Sequence, residues 1–322
     1  MRTQTNPSNG SHTAGHVCMF LACAIWGLMS PVGKDAMSNG ISGMAMVTFR
    51  ATGGAVCFHL AALCARSTET VTPRDRLLFF FAGMLSIVLN QCCFTIGLSL
   101  TSPVNASIVT TTMPVITLVL AALFLKEPVT PRKVTGIALG ATGALLLILH
   151  SGSSSSSSAS PTGTLAGDLL CLTAQCCFAT YLTVFKKLIQ RYSVITCMKW
   201  MFTYAALVIL PLSYRDMAAL PWTEIAPLHW AETAFVVVGA TFAAYLLMMK
   251  GQQSLCPTVV SIYNYVQPIV ACLVSVYLGL GVFGGLQATA VVLIFTGVYL
   301  VTQSQKRSAA GSVSPRPPLS KI

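Results

Sequence analysis

The chain has 322 residues, 54% of them hydrophobic and only 8% charged, with a mean hydropathy of +0.74 and a formal net charge of +11. A soluble domain carries about 25% charged residues, so this composition excludes a water-covered globular surface and points to the bilayer, which asks for about 20 mostly apolar residues per spanning helix. The basic residues stand singly between apolar runs and form no patch, which excludes a nucleic-acid surface.

In chain order, MRTQTNPSNGSHTAGH (1–16) reads as a flexible cytoplasmic tail. The apolar run after it ends at SPVGKDAM with no small-x-small cleavage pattern, so it reads as a retained first helix and not a signal peptide. Apolar windows bounded by charges or turn residues predict ten helices, at about 17–36, 41–63, 77–97, 103–125, 133–150, 167–187, 194–213, 231–249, 256–279 and 283–303. The low-complexity stretch SGSSSSSSASPTG (151–163) reads as a linker on the outside. It separates a first unit, 17–150, from a second, 164–303, and a basic cytoplasmic tail follows at 304–322. The twelve cysteines lie mostly inside apolar runs without C-x-x-C or zinc spacing, so they read as small buried hydrophobes and no metal is expected.

Orientation follows from the positive-inside rule. With the N-terminus inside, Arg2, Arg66, Arg74, Arg76, Lys126, Arg132, Lys133, Lys186, Lys187, Arg191, Lys250 and the basic residues of the C-terminal tail all fall on the cytoplasmic side. Only Lys34 and Arg215 fall outside, while Arg50 and Lys199 lie within spans. Both termini are therefore expected in the cytoplasm.

The stretch SPVNASIVTTTMPVITLVLAALFLKEP (102–128) lies without gaps over CPTVVSIYNYVQPIVACLVSVYLGLGV (256–282). Pro103 falls on Pro257, Ser107 on Ser261 and Pro114 on Pro268, and the same register carries Gly97 to Gly251 and Gly143 to Gly297. A second register, two residues shorter, carries Trp26 to Phe178 and Lys34 to Lys186. Constant spacing across several helices reads as a duplication, and an odd number of helices per copy gives the copies opposite orientation. The loop charges agree, because Lys126, Arg132 and Lys133 align with Leu280, Leu286 and Gln287. The expected fold is an all-α integral membrane protein, ten transmembrane helices in two inverted-topology five-helix repeats. Such repeats are typical of transporters.

The motif AIWG with Lys34 eight residues after Trp26, the block PVNASIVTTTMPVITLVLAALFLKEPVTPRKVTGIALGATGALLL, and GDLLCLTAQCCFATYLTVFKK opening the second half resemble the drug/metabolite transporter superfamily, specifically its ten-helix exporters built from two EamA repeats. The resemblance covers roughly 17–303 and implies a carrier in the cell membrane with a central cavity among helices one, three, four, six, eight and nine. It does not imply a particular substrate: the family handles amino acids, nucleotides, drugs and other metabolites. The family's frequent glutamate at the end of the fourth helix is here Glu127, whereas the equivalent position in the second half is Gly281.

Polar residues within the spans are the site candidates. Ser107, Thr110 and Thr111 share a face with Pro114, and Ser261, Asn264 and Tyr265 form the matching face with Pro268. Proline removes a backbone donor and loosens the ladder one turn earlier, a defect tolerated at membrane depth where hydroxyls or water satisfy it. The same residues also suit plain helix-to-helix contacts. Asn90, Gln91, Gln175 and Tyr245 are further polar candidates, with Trp26 as an apolar wall, and Gln91 aligns with Tyr245 in the main register. Arg50 and Lys199 are ionisable residues inside spans. Lys199 is near its helix start and can reach the interface, while Arg50 is deeper and suits either an anionic or zwitterionic substrate or the holding of helix ends. GIALGATG in the fifth helix and the glycines of the tenth read as close-contact scaffold or as a homodimer surface.

No carboxylate is expected at mid-membrane, which weakens a proton-coupled pump for cationic drugs. No phosphate-binding loop motif is present and no cofactor is expected. An intramembrane enzyme lacks its aspartate pair, serine–histidine pair or zinc motif, and a sensor lacks a sizeable ligand or output domain. The leading reading is a secondary transporter of small polar or amphipathic metabolites, directed outward and working by alternating access, with the bilayer and a small-molecule substrate as its partners.

Overall fold

The computed structural model describes residues 9–66, 69–100, 109–153, 165–277 and 285–311, and among them every regular element is helical. The first half runs α1 (Asn9–Ser38), α2 (Gly43–Cys64), α3 (Pro73–Gly83), a π-helical turn (Met84–Leu89), α4 (Asn90–Leu100), α5 (Met113–Leu125) and α6 (Pro131–Ser153). The second runs α7 (Leu165–Val184), the short α8 (Lys186–Ile189), α9 (Val194–Leu212), the short α10 (Tyr214–Ala218), α11 (Pro227–Phe235), a second π-helical turn (Val236–Ala243), α12 (Ala244–Ser254), α13 (Pro257–Ile262), a 3-10 turn (Tyr263–Tyr265), α14 (Val266–Tyr277) and α15 (Gly285–Gly311). Among the described residues five helical rods are long and apolar enough to cross a membrane: Gly43–Cys64, Pro73–Gly97, Leu165–Val184, Val194–Leu212 and Pro227–Ser254. Shorter apolar helices occur at Thr13–Met29, Met113–Leu125 and Ala288–Ser304.

Local chemistry sets the starts. Ser42, Thr72 and Ser193 each take an extended backbone and accept a backbone N–H three residues on, satisfying a donor that the first helical turn leaves free. Prolines open α3, α11 and α13, where their missing N–H costs nothing.

Several expectations are corrected. Helix α1 begins at Asn9, inside the segment read as a flexible tail, and α15 continues to Gly311, past the expected boundary at 303. Helix α6 extends to Ser153, into the serine-rich stretch. The expected continuous helix 103–125 is interrupted: Thr111 and Thr112 form a turn, and α5 begins at Met113 with Pro114 in its first turn. Pro268 likewise follows the Tyr263–Tyr265 turn closely. Each proline thus opens a new helical segment instead of bending a continuous one. A proline has no N–H to give the preceding turn, and the chain uses that gap to break the ladder.

The packing repeats itself. The two π-helical turns fall at corresponding places, since the register that carries Gly97 to Gly251 carries 84–89 to 238–243. Gly97 abuts the Gly167 carbonyl and the Cys171 side chain; Gly251 abuts the Gly15 carbonyl and the Met19 side chain. Gly136 meets the Gly297 carbonyl, while Gly143 meets the Ala290 carbonyl. Gly83 lies against the backbone of Met201, and a side chain at Gly53 would collide with Val237. In the first two pairs, exchanging the halves in the registers of the sequence turns one contact into its partner, so the halves are related by a pseudo-twofold axis; the third pair then sets Gly53 against Met201 in the same exchange. The glycines of the fifth and tenth predicted helices are engaged with one another within the chain, backbone against backbone.

Candidate functional site

The axis passes through a polar centre. Arg50 lies partly buried on α2, eight residues after Ser42. It donates Nε–H to Thr241 Oγ1 at 3.0 Å and Nη1–H to Gln91 Oε1 at 2.9 Å. Gln91 lies in the first turn of α4 just after the first π-helical turn, and its Nε2 donates to the Tyr245 hydroxyl at 3.4 Å. Thr241 belongs to the second π-helical turn, where its hydroxyl also donates to the Val236 carbonyl at 2.9 Å. That bond holds the hydroxyl's lone pairs toward Arg50. The π-helical widening loosens the regular ladder, and the Ala240 carbonyl inside it accepts the Trp26 indole N–H at 2.8 Å. Trp26 and Phe202 each meet the Tyr245 ring edge-on, at centroid separations of 5.5 and 5.1 Å. Arg50, Gln91, Thr241 and Tyr245, walled by Val47, Ala51, Ile87 and Phe202, enclose about 10 Å³, close to the room one water needs.

The other expected residues are placed elsewhere. Asn90 donates to the Ala174 carbonyl at 2.9 Å and ties α4 to α7, where Gln175 is buried. Thr110 is partly buried and Thr111 is buried at the break before α5. The Tyr265 hydroxyl donates to the Thr111 carbonyl at 3.0 Å, with its ring over Gly140. Asn264 donates to Met113 Sδ and to the Ser261 carbonyl, and Gln267 donates to its Oδ1. Ser261 is buried, bonded to the Thr258 carbonyl. This second polar group joins the broken helices to one another and does not line the enclosed centre. Ser107 lies outside the described residues. Lys199 stands apart, with its ammonium 5.7 Å from the Trp200 ring centroid and the Arg76 guanidinium 5.2 Å from the same ring.

Polar contacts bind the helices together at the end where α5, α7 and α12 finish. Lys126 adopts the left-handed conformation, with φ 54°, and turns the chain so that Glu127 meets Lys133 at 2.9 Å. Glu127 also accepts from Thr258 at 3.0 Å. The Lys186 ammonium caps the carbonyls of Gln252 and Leu255, and the Gln253 side chain donates to the carbonyls of Ile189 and Tyr192. At the opposite end His229 lies 2.9 Å from Glu232 and 3.7 Å from Asp35, linking α11 to α1.

Sequence reasoning missed Thr241. It stands in the run VVVGATFAA and aligns with the apolar Ile87, so no polar pattern marks it. Lys186 was legible as an orientation charge and as the repeat counterpart of Lys34, not as a cap on the carbonyls at the end of α12.

Paired helical halves around a polar centre, each half packed on the other by the same contacts, define a membrane protein built from an internal duplication. The EamA-like transporter family matches residues 13–149 and again 165–303, and the chain belongs to that family, within the drug/metabolite transporter superfamily. Among its relatives are an uncharacterized transporter, YyaM, of Bacillus subtilis (24% identical over 70% of this chain and 72% of the relative) and a WAT1-related protein, At2g40900, of Arabidopsis thaliana (26% identical, 85% and 74%). Protein PecM of Dickeya dadantii is 26% identical over 63% of this chain and 65% of its own. A solved crystal structure with 18% identity superposes with a TM-score of 0.74 over 92% of this chain and 99% of that one, showing the same fold. The family is one of membrane transporters and not of enzymes.

Proposed function

We propose that the chain is a secondary carrier with ten spans and both termini in the cytoplasm. It moves small polar or amphipathic metabolites, amino acids and related compounds among them, outward across the cell membrane by alternating access. The observation that carries this reading is the Gln91–Tyr245 contact on the pseudo-twofold axis, flanked by Arg50 and Thr241. Two inverted halves meeting at polar side chains can rock to open that point first to one side and then to the other. On the expected topology the interlocked end at Glu127, Lys133 and Lys186 faces the cytoplasm. The described state is then closed on that side, and these polar contacts must part for loading. The chain's partners on this reading are the bilayer and a small-molecule substrate. A homodimer through α6 and α15 would use their exposed faces, because their glycines are already in contact with each other.

The test is comparative metabolite profiling of bacterial cells and medium, with the wild-type chain, the empty vector and Gln91→Ala. Selective accumulation of a compound class outside, lost in the variant, is the expected result. A correctly inserted wild-type protein that changes no metabolite ratio in either direction overturns the reading.

A further inference from the structure

The centre of the molecule holds a cation without an anion. All eight carboxylates of the sequence fall in described segments, and none pairs with Arg50. Asp75 is held by Arg191 and Tyr192, Glu127 by Lys133, and Asp35 and Glu232 by His229. Asp216 accepts from Ser42, and Glu69 from the Ser193 backbone. Arg50 uses two of its five N–H donors, both on neutral acceptors. A permanent charge at membrane depth is costly, and its two partners, a hydroxyl and an amide oxygen, are neutral acceptors that do not balance it.

We propose that Arg50, with Gln91, Thr241 and Tyr245, binds the carboxylate of the transported solute, which is a small organic monoanion on an apolar body. This rests on the carrier reading above and narrows it. One guanidinium balances one carboxylate, and its planar fork matches that group's two oxygens. A dianionic phosphate would be left half-neutralised, and the ammonium of a zwitterion would find no carboxylate in the lining, so the narrower class leaves out the amino acids of the broader reading. The walls Val47, Ala51, Ile87 and Phe202 suit an apolar body. Gln91 and Tyr245 come from opposite halves, so one bound anion contacts both halves at once. The walls must separate to admit the solute.

The experiment is ligand-dependent thermal stabilisation of the purified full chain in detergent micelles. The probes are acetate, butyrate and benzoate against benzamide and benzylamine, tested on wild type, Arg50→Lys and Arg50→Gln. Benzoate or butyrate should raise the melting temperature of the wild type, less so that of Arg50→Lys, and not that of Arg50→Gln, with the amide and the amine inert. Equal stabilisation by benzylamine or benzamide, carboxylate stabilisation that survives Arg50→Gln, or a wild type indifferent to all three carboxylates overturns the proposal. Arg50→Lys keeps the test valid where Arg50→Gln fails to fold. Metabolite export without carboxylate binding defeats the anion site and leaves the carrier standing; carboxylate binding without export does the reverse.

Discussion

Gln91 and Tyr245 hold the same position in the two repeats and hydrogen-bond to each other, Gln91 Nε2 donating to the Tyr245 hydroxyl at 3.4 Å. Equivalent positions can touch only on the axis that relates the halves. The residues there differ, one amide and one phenol, so the contact across the axis is asymmetric.

Gln91→Glu is the most informative substitution at the centre. It places a carboxylate where Arg50 already donates at 2.9 Å, supplying an internal counter-ion. Stability in detergent should hold or rise, while carboxylate-dependent stabilisation and transport of anionic solutes should disappear. A Gln91→Glu protein that still responds to benzoate like the wild type would count against Arg50 as the anion's partner.

Trp26→Phe removes an indole donor and keeps a ring beside Tyr245. The Ala240 carbonyl then loses its side-chain donor in a buried π-helical turn. An unsatisfied buried acceptor costs about 1–3 kcal/mol. Reversible unfolding in mixed micelles should show a loss of that size, and an unchanged stability would mean that another donor already serves Ala240.

Gly297→Ala tests the seam between α6 and α15. An added Cβ would lie 2.4 Å from the Gly136 carbonyl oxygen and 2.8 Å from the Gly140 nitrogen. Both are backbone atoms and cannot swing aside, so the cost should reach or exceed the ~1–3 kcal/mol usual for overpacking. Gly285→Ala is the control, because no atom of the described residues approaches that position within 4 Å. Size-exclusion profiles after heating should separate the two variants.

Lys133→Met breaks an ion pair whose side chains are 3% and 13% exposed. Stranding Glu127 should cost about 3–5 kcal/mol, partly offset by its bond from Thr258. Removing both charges in Lys133→Met with Glu127→Gln should recover much of the loss. A double variant as unstable as the single one would show that the carboxylate is not what suffers.

The all-helical class was legible because apolar runs separated by charges leave few other readings, and five of the rods are long enough to cross a membrane. The duplication was legible from Pro114 with Pro268 and Gly97 with Gly251, since each constrains the backbone in the same way in both halves. Gln91, Tyr245 and Arg50 could be singled out by depth and register, yet their meeting point could not. It depends on two π-helical turns, which change the facing of residues without any proline or glycine pattern that announces them. The row Ser261, Asn264 and Tyr265 has the same polar spacing as a cavity wall, yet Ser261 bonds its own helix, Asn264 bonds Met113 and Ser261, and Tyr265 bonds the Thr111 carbonyl at the break in the neighbouring helix. Periodicity measures which residues share a face, not what that face meets.

The exchangeable contacts between the halves have a consequence for how such a centre can arise. They align α2 with α9 so that Gly53 answers to Met201 and Arg50 to the buried Met198. A half-length chain inserted in both orientations could satisfy every glycine seam by pairing with itself, but it would bring two guanidinium groups into one water-sized space. Covalent joining of the two copies releases that constraint, because one can keep the charge while the other loses it. A symmetric frame can then carry a single, asymmetric ion.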